Sequence, residues 1–302
     1  MAYTLLVGNF VIRFPDLPNQ GPQPDGDTIK FLPDNPELVM DLTRISGRPP
    51  KINDRGISVR LEAIDALETH FKQTHQEVKG GNLARDELLA HLGFKNVVFS
   101  KRHPHNIESA NEDSLPGYVL SNGIDANGRL IGFVYEGSDD IPGDDGSTIT
   151  LGTRLLDKSI NTKLLADGHV YPAFYRTLPA KLREHLAVKS QAARAAKKGI
   201  WPRSTADLSN GAAEVLSLES LETLVMWPKL FRRLVDFLSS NNEGLSGFVP
   251  WLREDDATRD DRMYRLDTNK GVNFHEILTI DGDSIRLNVQ FEQVIVEPDP
   301  VN

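Results

Sequence analysis

Short runs of β-branched and aromatic residues, separated by polar turns, dominate the first part of the chain and predict strands. The predicted strands cover residues 3–14, 28–31, 57–64, 96–100, 118–122 and 129–135. Helical spacing or an Ala- and Lys-rich composition predicts helices at residues 82–92, 159–167 and 182–198. Several short strands followed by helices are typical of a small β-barrel with packed helices.

The last third of the chain has a different pattern. Its clearest feature is an apolar stripe after Pro228, formed by Leu230, Phe231, Leu234, Val235 and Leu238. Residues 274–280 and 284–296 predict a hairpin around Asp281-Gly282, so this region is predicted to be a smaller α+β domain. Because an exposed stripe promotes aggregation, we expect it to pack within the chain. A second copy of the chain or a protein partner is the alternative.

Length and charge distribution predict two domains. The chain has 302 residues, which is long for a single core. Its net charge of −9 at first argues against nucleic acid as a partner. However, residues 1–203 contain 25 basic and 25 acidic residues, whereas residues 204–302 contain 9 and 18. This shift predicts a domain at 1–203, neutral overall, and an acidic C-terminal domain at 204–302 whose role the sequence does not indicate.

Several classes of protein are excluded by composition. The apolar runs are far shorter than the ~20 residues of a membrane-spanning helix. The N-terminus has no pattern typical of a signal peptide, so we expect a cytoplasmic protein, although a mature secreted chain would look the same. Cysteine is absent, which excludes disulfides, thiolate metal sites and cysteine nucleophiles.

Carboxylates near two strand ends are candidates for chemistry. Asp27 lies just after an Asp-Gly pair, which by itself is more typical of a hairpin turn than of a metal site. Strand alternation places Arg60 and Asp65 on opposite faces unless the chain leaves the strand near Ile64. Asp65 and Glu68 could then face the same side of a turn. Each segment is ambiguous alone, because exposed charged residues are common at such positions.

A third segment, Asn127-Gly128-Arg129, predicts a hairpin turn followed by an arginine. In combination, these segments and the tail from Lys189 to Trp201 resemble the motifs of the staphylococcal nuclease (thermonuclease) family. The motifs occur in the family's order, and the resemblance covers residues 3–201. It implies a five-stranded OB-fold barrel with three helices.

The resemblance also implies roles for six residues. Asp27, Asp65 and the backbone carbonyl of Ala66 correspond to the family's Ca²⁺ ligands. Glu68 corresponds to the proposed general base for the attacking water, and Arg60 and Arg129 to the pair that binds the scissile phosphate. Such chemistry is physically reasonable, since a divalent cation and two guanidinium groups stabilise the charge of a phosphoryl transition state.

The main hypothesis from the sequence is therefore a calcium-dependent phosphodiesterase, an endonuclease of the thermonuclease type. Its substrate would be DNA, RNA or both, cleaved with little sequence specificity to leave a 3′-phosphate. The alternative is a non-catalytic OB-fold module that binds single-stranded nucleic acid or a protein partner.

Overall fold

The computed structural model describes residues 2–17, 20–45, 47–137, 140–240, 244–255 and 259–297. These residues form two compact units, each built from separate stretches of chain. The first unit contains residues 2–62 and 85–164, and the second contains residues 63–84 and 165–297. The predicted boundary after Arg203 lies within the second unit and stays a prediction.

The strands are β1 (Ala2–Val11), β2 (Thr28–Pro33), β3 (Ile57–Leu61), β4 (Ile64–Asp65), β5 (Val98–Phe99), β6 (Ile107–Ser109), β7 (Ser114–Ile124), β8 (Leu130–Glu136), β9 (Thr148–Thr150), β10 (Tyr171–Pro172), β11 (Phe174–Tyr175), β12 (Ala213–Glu214), β13 (Arg262–Arg265), β14 (Lys270–Asn273), β15 (Leu278–Asp281), β16 (Ser284–Leu287) and β17 (Val294–Val296). The α-helices are α1 (Glu37–Met40), α2 (Val78–His91), α3 (Thr153–Leu156), α4 (Ile160–Ala166), α5 (Ala180–Ala195), α6 (Leu218–Leu221), α7 (Pro228–Leu238) and α8 (Phe248–Arg253). Short 3-10 helices cover Trp201–Arg203, Phe274–Ile277 and Phe291–Gln293. None of the helices in the described part of the chain is long and apolar enough to cross a membrane.

A closed five-stranded β-barrel forms the first unit. The strands pair in the order β2-β3-β8-β7-β1, and pairing of β1 with β2 closes the ring. The β3–β8 pair is parallel and the other four pairs are antiparallel. Inward-facing residues such as Phe10, Phe31 and Phe133 are completely buried. The predicted fold class, a β-barrel with helices followed by a C-terminal region of strands and helices, is confirmed.

Both predicted strands of the C-terminal hairpin are longer than the observed ones. Residues 284–296 are not one strand, because β16 ends at Leu287 and Phe291–Gln293 is a 3-10 helix that precedes β17. Residues 274–280 do not form a single strand, because Phe274–Ile277 is a 3-10 helix and β15 begins only at Leu278. A capping box explains the difference: the Asn273 backbone N–H donates to Glu276 Oε2 at 2.7 Å, which stabilises the start of a helical turn. The hairpin around Asp281-Gly282 does form, with Asp281 opposite Ser284.

The apolar stripe of α7 is buried in the core of the second unit. The same core contains Tyr171 and Trp201, whose ring centroids are 5.2 Å apart, and Phe291, which lies 5.8 Å from Trp201. Residues on both sides of position 203 therefore share one core. Other residues of the second unit therefore cover the stripe. This agrees with the expectation that the stripe packs within the chain, because an exposed stripe would promote aggregation.

Candidate functional site

Asp27 and Arg60 lie side by side in the barrel. Asp25 and Thr28 bond across a tight turn, and β2 begins at Thr28. Pairing of β2 with β3 places Thr28 opposite Arg60, and Arg60 Nη1 lies 2.5 Å from Asp27 Oδ2. The Leu61 backbone N–H also donates to the Asp27 carbonyl at 2.8 Å. The register of the barrel thus joins two predicted site residues that are far apart in sequence.

Arg129 is held by the turn that precedes β8. Gly128 adopts a φ of +79°, the left-handed conformation that an Asn-Gly hairpin turn requires. The Asp125 carboxylate accepts from the Arg129 backbone N–H at 2.8 Å and from its Nε at 2.7 Å. The Arg129 side chain is 32% exposed. Asp125 therefore fixes the backbone and the guanidinium of an arginine that remains accessible to solvent.

Asp65 belongs to a short strand that begins after a sharp change of direction. Strand β3 ends at Leu61, and Ala63 has a left-handed φ of 71°. β4 then pairs with β10, so that Asp65 lies opposite Tyr171. The chain thus leaves the direction of β3 near Ile64. This change of direction allows the carboxylates of Asp65 and Glu68 to face the same side. Ala66, the position assigned a backbone ligand, is buried.

A residue that the sequence did not suggest joins Asp65 to Glu68. Arg232, on α7 of the same unit, donates from Nη2 to Asp65 Oδ2 at 3.0 Å and from Nη1 to Asp65 Oδ1 at 3.4 Å. Its Nη1 also forms a short ion pair with Glu68 Oε1. The side chains of Asp65, Glu68 and Arg232 are 3%, 14% and 25% exposed. One guanidinium thus binds two poorly hydrated carboxylates.

Arg232 stays charged at this position. Burial opposes its charged form, but the negative charges of Asp65 and Glu68 outweigh that effect and raise the pKa of Arg232 above its ordinary value. In the sequence, Arg232 is one of two adjacent arginines on an amphipathic helix. Its neighbour Arg233 binds the Asp261 carboxylate instead, with Nη2 2.8 Å from Oδ2. No local signal distinguishes the two arginines.

The oxygen donors fit Ca²⁺ in chemical type, because carboxylates and backbone carbonyls are the ligands that it prefers. The arrangement of these oxygen donors is less favourable for a metal ion. Within the described ranges, no three side chains of His, Asp or Glu lie together as a metal-binding group. Two of the predicted acidic residues instead bind the Arg232 guanidinium. A metal ion at Asp65 would therefore meet a competing cation.

Comparison with protein-family models finds a match for residues 58–203, described as staphylococcal nuclease homologue. This segment is therefore similar to the staphylococcal nuclease homologue family. A comparison with curated proteins finds no match. The family match includes Arg60, Asp65, Ala66, Glu68 and Arg129, whereas β1, β2 and Asp27 precede it and Arg232 follows it. The family typically contains nucleases, and its fold is associated with nucleic-acid binding.

The family-matched segment also contains a buried acid. Burial raises the pKa of Glu62 to about 7, and the side chains of Asn122 and Tyr3 oppose this shift only in part. The Asn122 Nδ2 donates to Glu62 Oε1 at 3.3 Å. The folded chain therefore keeps a proton on Glu62 at a pH where the unfolded chain, with its ordinary pKa, has released it.

We expect replacement of Glu62 by glutamine to change how stability depends on pH. In the wild type, Glu62 favours folding at low pH, and this contribution decreases as the pH rises from about 4.5 to about 7. Glu62→Gln should lose this decrease and should be more stable than the wild type at pH 8. Urea denaturation at pH 5, 6.5 and 8 measures the difference. Glu108→Gln, at an exposed position, is the control; equal pH dependence of all three proteins would contradict the prediction.

Proposed function

We propose that the protein is a calcium-dependent phosphodiesterase that hydrolyses DNA, RNA or both. The observation that supports this most strongly is the content of the family-matched segment: both arginines, Asp65 and Glu68 lie within it. Asp27 precedes the match and lies 2.5 Å from Arg60. All five charged residues to which the family resemblance assigns a role are therefore present.

Each residue has a distinct proposed role. Arg60 and Arg129 bind the scissile phosphate, because a planar guanidinium can donate two parallel hydrogen bonds to its oxygens. Glu68 accepts the proton of the attacking water, since a carboxylate can act as a general base. Asp27, Asp65 and the Ala66 carbonyl would hold Ca²⁺. When bound, the ion supplies positive charge against the developing charge on the phosphoryl oxygens.

The charge distribution favours a substrate that binds the first two-thirds of the chain. Residues 1–203 are neutral overall, whereas residues 204–302 carry the whole net charge of −9. Nucleic acid is a polyanion, so a protein binds it mainly through basic side chains. Substrate contacts therefore belong to the 1–203 segment, in which both proposed phosphate-binding arginines lie. Hydrolysis would leave a 3′-phosphate, as the family resemblance implies.

A second candidate function follows from one observation. Arg232 pairs with both Asp65 and Glu68 within the protein itself and offsets part of their negative charge. Such a contact is compatible with a non-catalytic module that binds single-stranded nucleic acid or a protein partner and uses these carboxylates only for stability. The two functions differ in whether the chain turns over its substrate.

Metal removal tests the first function. The full chain is incubated with labelled single-stranded DNA in Ca²⁺, in Mg²⁺ and in excess EGTA, and the products are resolved on a gel. We expect cleavage in Ca²⁺, much weaker cleavage in Mg²⁺ because it demands stricter octahedral geometry, and none in EGTA. Full cleavage in EGTA would contradict calcium dependence. DNA binding without cleavage in any of the three would favour the non-catalytic module.

A further inference from the structure

The contact between Arg232 and the two carboxylates has the geometry of a strong ion pair. Both Nη atoms of Arg232 face Asp65, and Nη1 also reaches Glu68. Bidentate guanidinium–carboxylate pairs are among the strongest charge-assisted hydrogen bonds in proteins. Because Asp65 is almost fully buried, a cation at this position offsets the cost of removing its charge from water.

The ion pair also affects whether a metal ion can bind at these carboxylates. Asp65 and Glu68 are separated by two residues, and their carboxylates bind the same guanidinium. A divalent cation would be attracted to the same oxygens, since it prefers carboxylate ligands and carries twice the charge. The guanidinium and the metal ion therefore compete for the Asp65 carboxylate, which is one of the proposed calcium ligands.

We propose that Arg232, held also by Glu68, is a built-in cation that competes with Ca²⁺ for Asp65 and so weakens calcium binding by this chain. Calcium binding then requires the Arg232 side chain to move away from both carboxylates. The proposal rests on the proposed function only for the identity of the cation. It gives the last third of the chain a direct role at two predicted site residues, which lie 164 and 167 positions earlier in the sequence.

The position of Arg232 allows such a movement. Its side chain is one-quarter exposed, so the guanidinium can reach solvent by rotation about its own side-chain bonds. The stem is anchored by a helix whose apolar residues Phe231 and Leu234 are completely buried. Displacement of the guanidinium therefore does not require α7 itself to unpack.

The test is a calcium titration of the full chain by isothermal calorimetry, which does not depend on catalysis. We expect Arg232→Gln to bind Ca²⁺ about 10-fold or more tightly than the wild type, because one positive charge that competes with the ion at Asp65 is removed. Arg232→Lys keeps the charge but not the planar fork, so its affinity should lie between the two. Arg233→Gln is the matched control, since it removes a guanidinium from the same helix but not from Asp65 or Glu68; its affinity should equal that of the wild type.

A double variant locates the effect. Asp65→Asn combined with Arg232→Gln should lose the gain in affinity, because the proposed acceptor is gone. Thermal unfolding gives an independent reading: Ca²⁺ should raise the Tm of Arg232→Gln more than that of the wild type, since a ligand stabilises the state that binds it. If Arg232→Gln does not fold, the comparison of Arg232→Lys with the wild type decides the question.

Equal calcium affinity of the wild type and the Arg232 variants would overturn the proposal, as would the absence of binding by all of them. Cleavage is assayed separately with the same proteins. Tighter calcium binding by Arg232→Gln without any cleavage would support competition by Arg232 and contradict the proposed hydrolysis. Calcium-dependent cleavage with unchanged calcium affinity in Arg232→Gln would support the proposed hydrolysis and contradict competition by Arg232.

Discussion

Glu68→Gln is expected to reduce the turnover of nucleic acid by about 10²–10⁴-fold, the usual contribution of a positioned general base. Glutamine has nearly the shape of glutamate but cannot accept the proton of a water molecule. The loss should appear in kcat, with KM little changed, because Glu68 is proposed to act on the water rather than on the substrate. Steady-state kinetics with a short fluorescent oligonucleotide measures both constants.

The control for this variant is Asp236→Asn. Asp236 also pairs with a cation in the second unit, Lys72 at 2.5 Å, but has no proposed role in chemistry. Its loss should leave kcat unchanged. A pH–rate profile adds a second reading: the rising limb seen with the wild type should disappear in Glu68→Gln if that limb reports the general base. A kcat close to the wild-type value would show that Glu68 is not the base.

The barrel could be predicted because its signals are local. Alternating β-branched and aromatic residues mark a strand wherever one face is buried, and the Asn127-Gly128 pair marks a turn whose backbone few other residues adopt. Observed strands β1, β2, β3, β7 and β8 accordingly correspond to predicted ones, with ends that differ by a few residues. The ordered motifs likewise indicated the family that matches residues 58–203.

Contacts of the last third could not be predicted in the same way. The stripe on α7 predicts that this helix is buried, but it does not predict which residues its flanking arginines will reach. Arg232 binds carboxylates more than 160 positions away, whereas Arg233 binds Asp261. Only the packing of the second unit's core distinguishes these two neighbours, and that packing depends on many residues together.

The domain boundary after Arg203 stays a prediction, and it rests on a different kind of signal. The shift in charge after Arg203 describes the composition of the surface, whereas a compact unit is defined by a shared core. Trp201 and Phe291 lie on either side of the predicted boundary, and they pack together. For this reason, a chain that ends at Arg203 would expose apolar surface of the second unit. Substitutions in the full chain are therefore a more direct test of the proposed site residues than truncation.

Arg129→Ala is expected to lower kcat/KM by about 10²–10³-fold, the typical loss when one donor to a transition-state charge is removed. The side chain is one-third exposed and follows a turn, so its truncation should open no cavity in the barrel. Arg129→Lys keeps the positive charge but cannot donate two parallel hydrogen bonds from a planar group. Its activity should therefore be restored only in part.

Arg55→Ala is the matched control for the Arg129 variants. Arg55 is exposed to a similar extent, at 34%, and it also pairs with an aspartate of the same unit, Asp16 at 2.8 Å. Its loss should leave kcat/KM at the wild-type value if the Arg129 effect arises from phosphate binding rather than from a change in overall charge. Full activity of Arg129→Lys would mean that only charge matters at this position. Equal losses in Arg55→Ala and Arg129→Ala would contradict a specific role for Arg129, because both variants lower the net charge by the same amount.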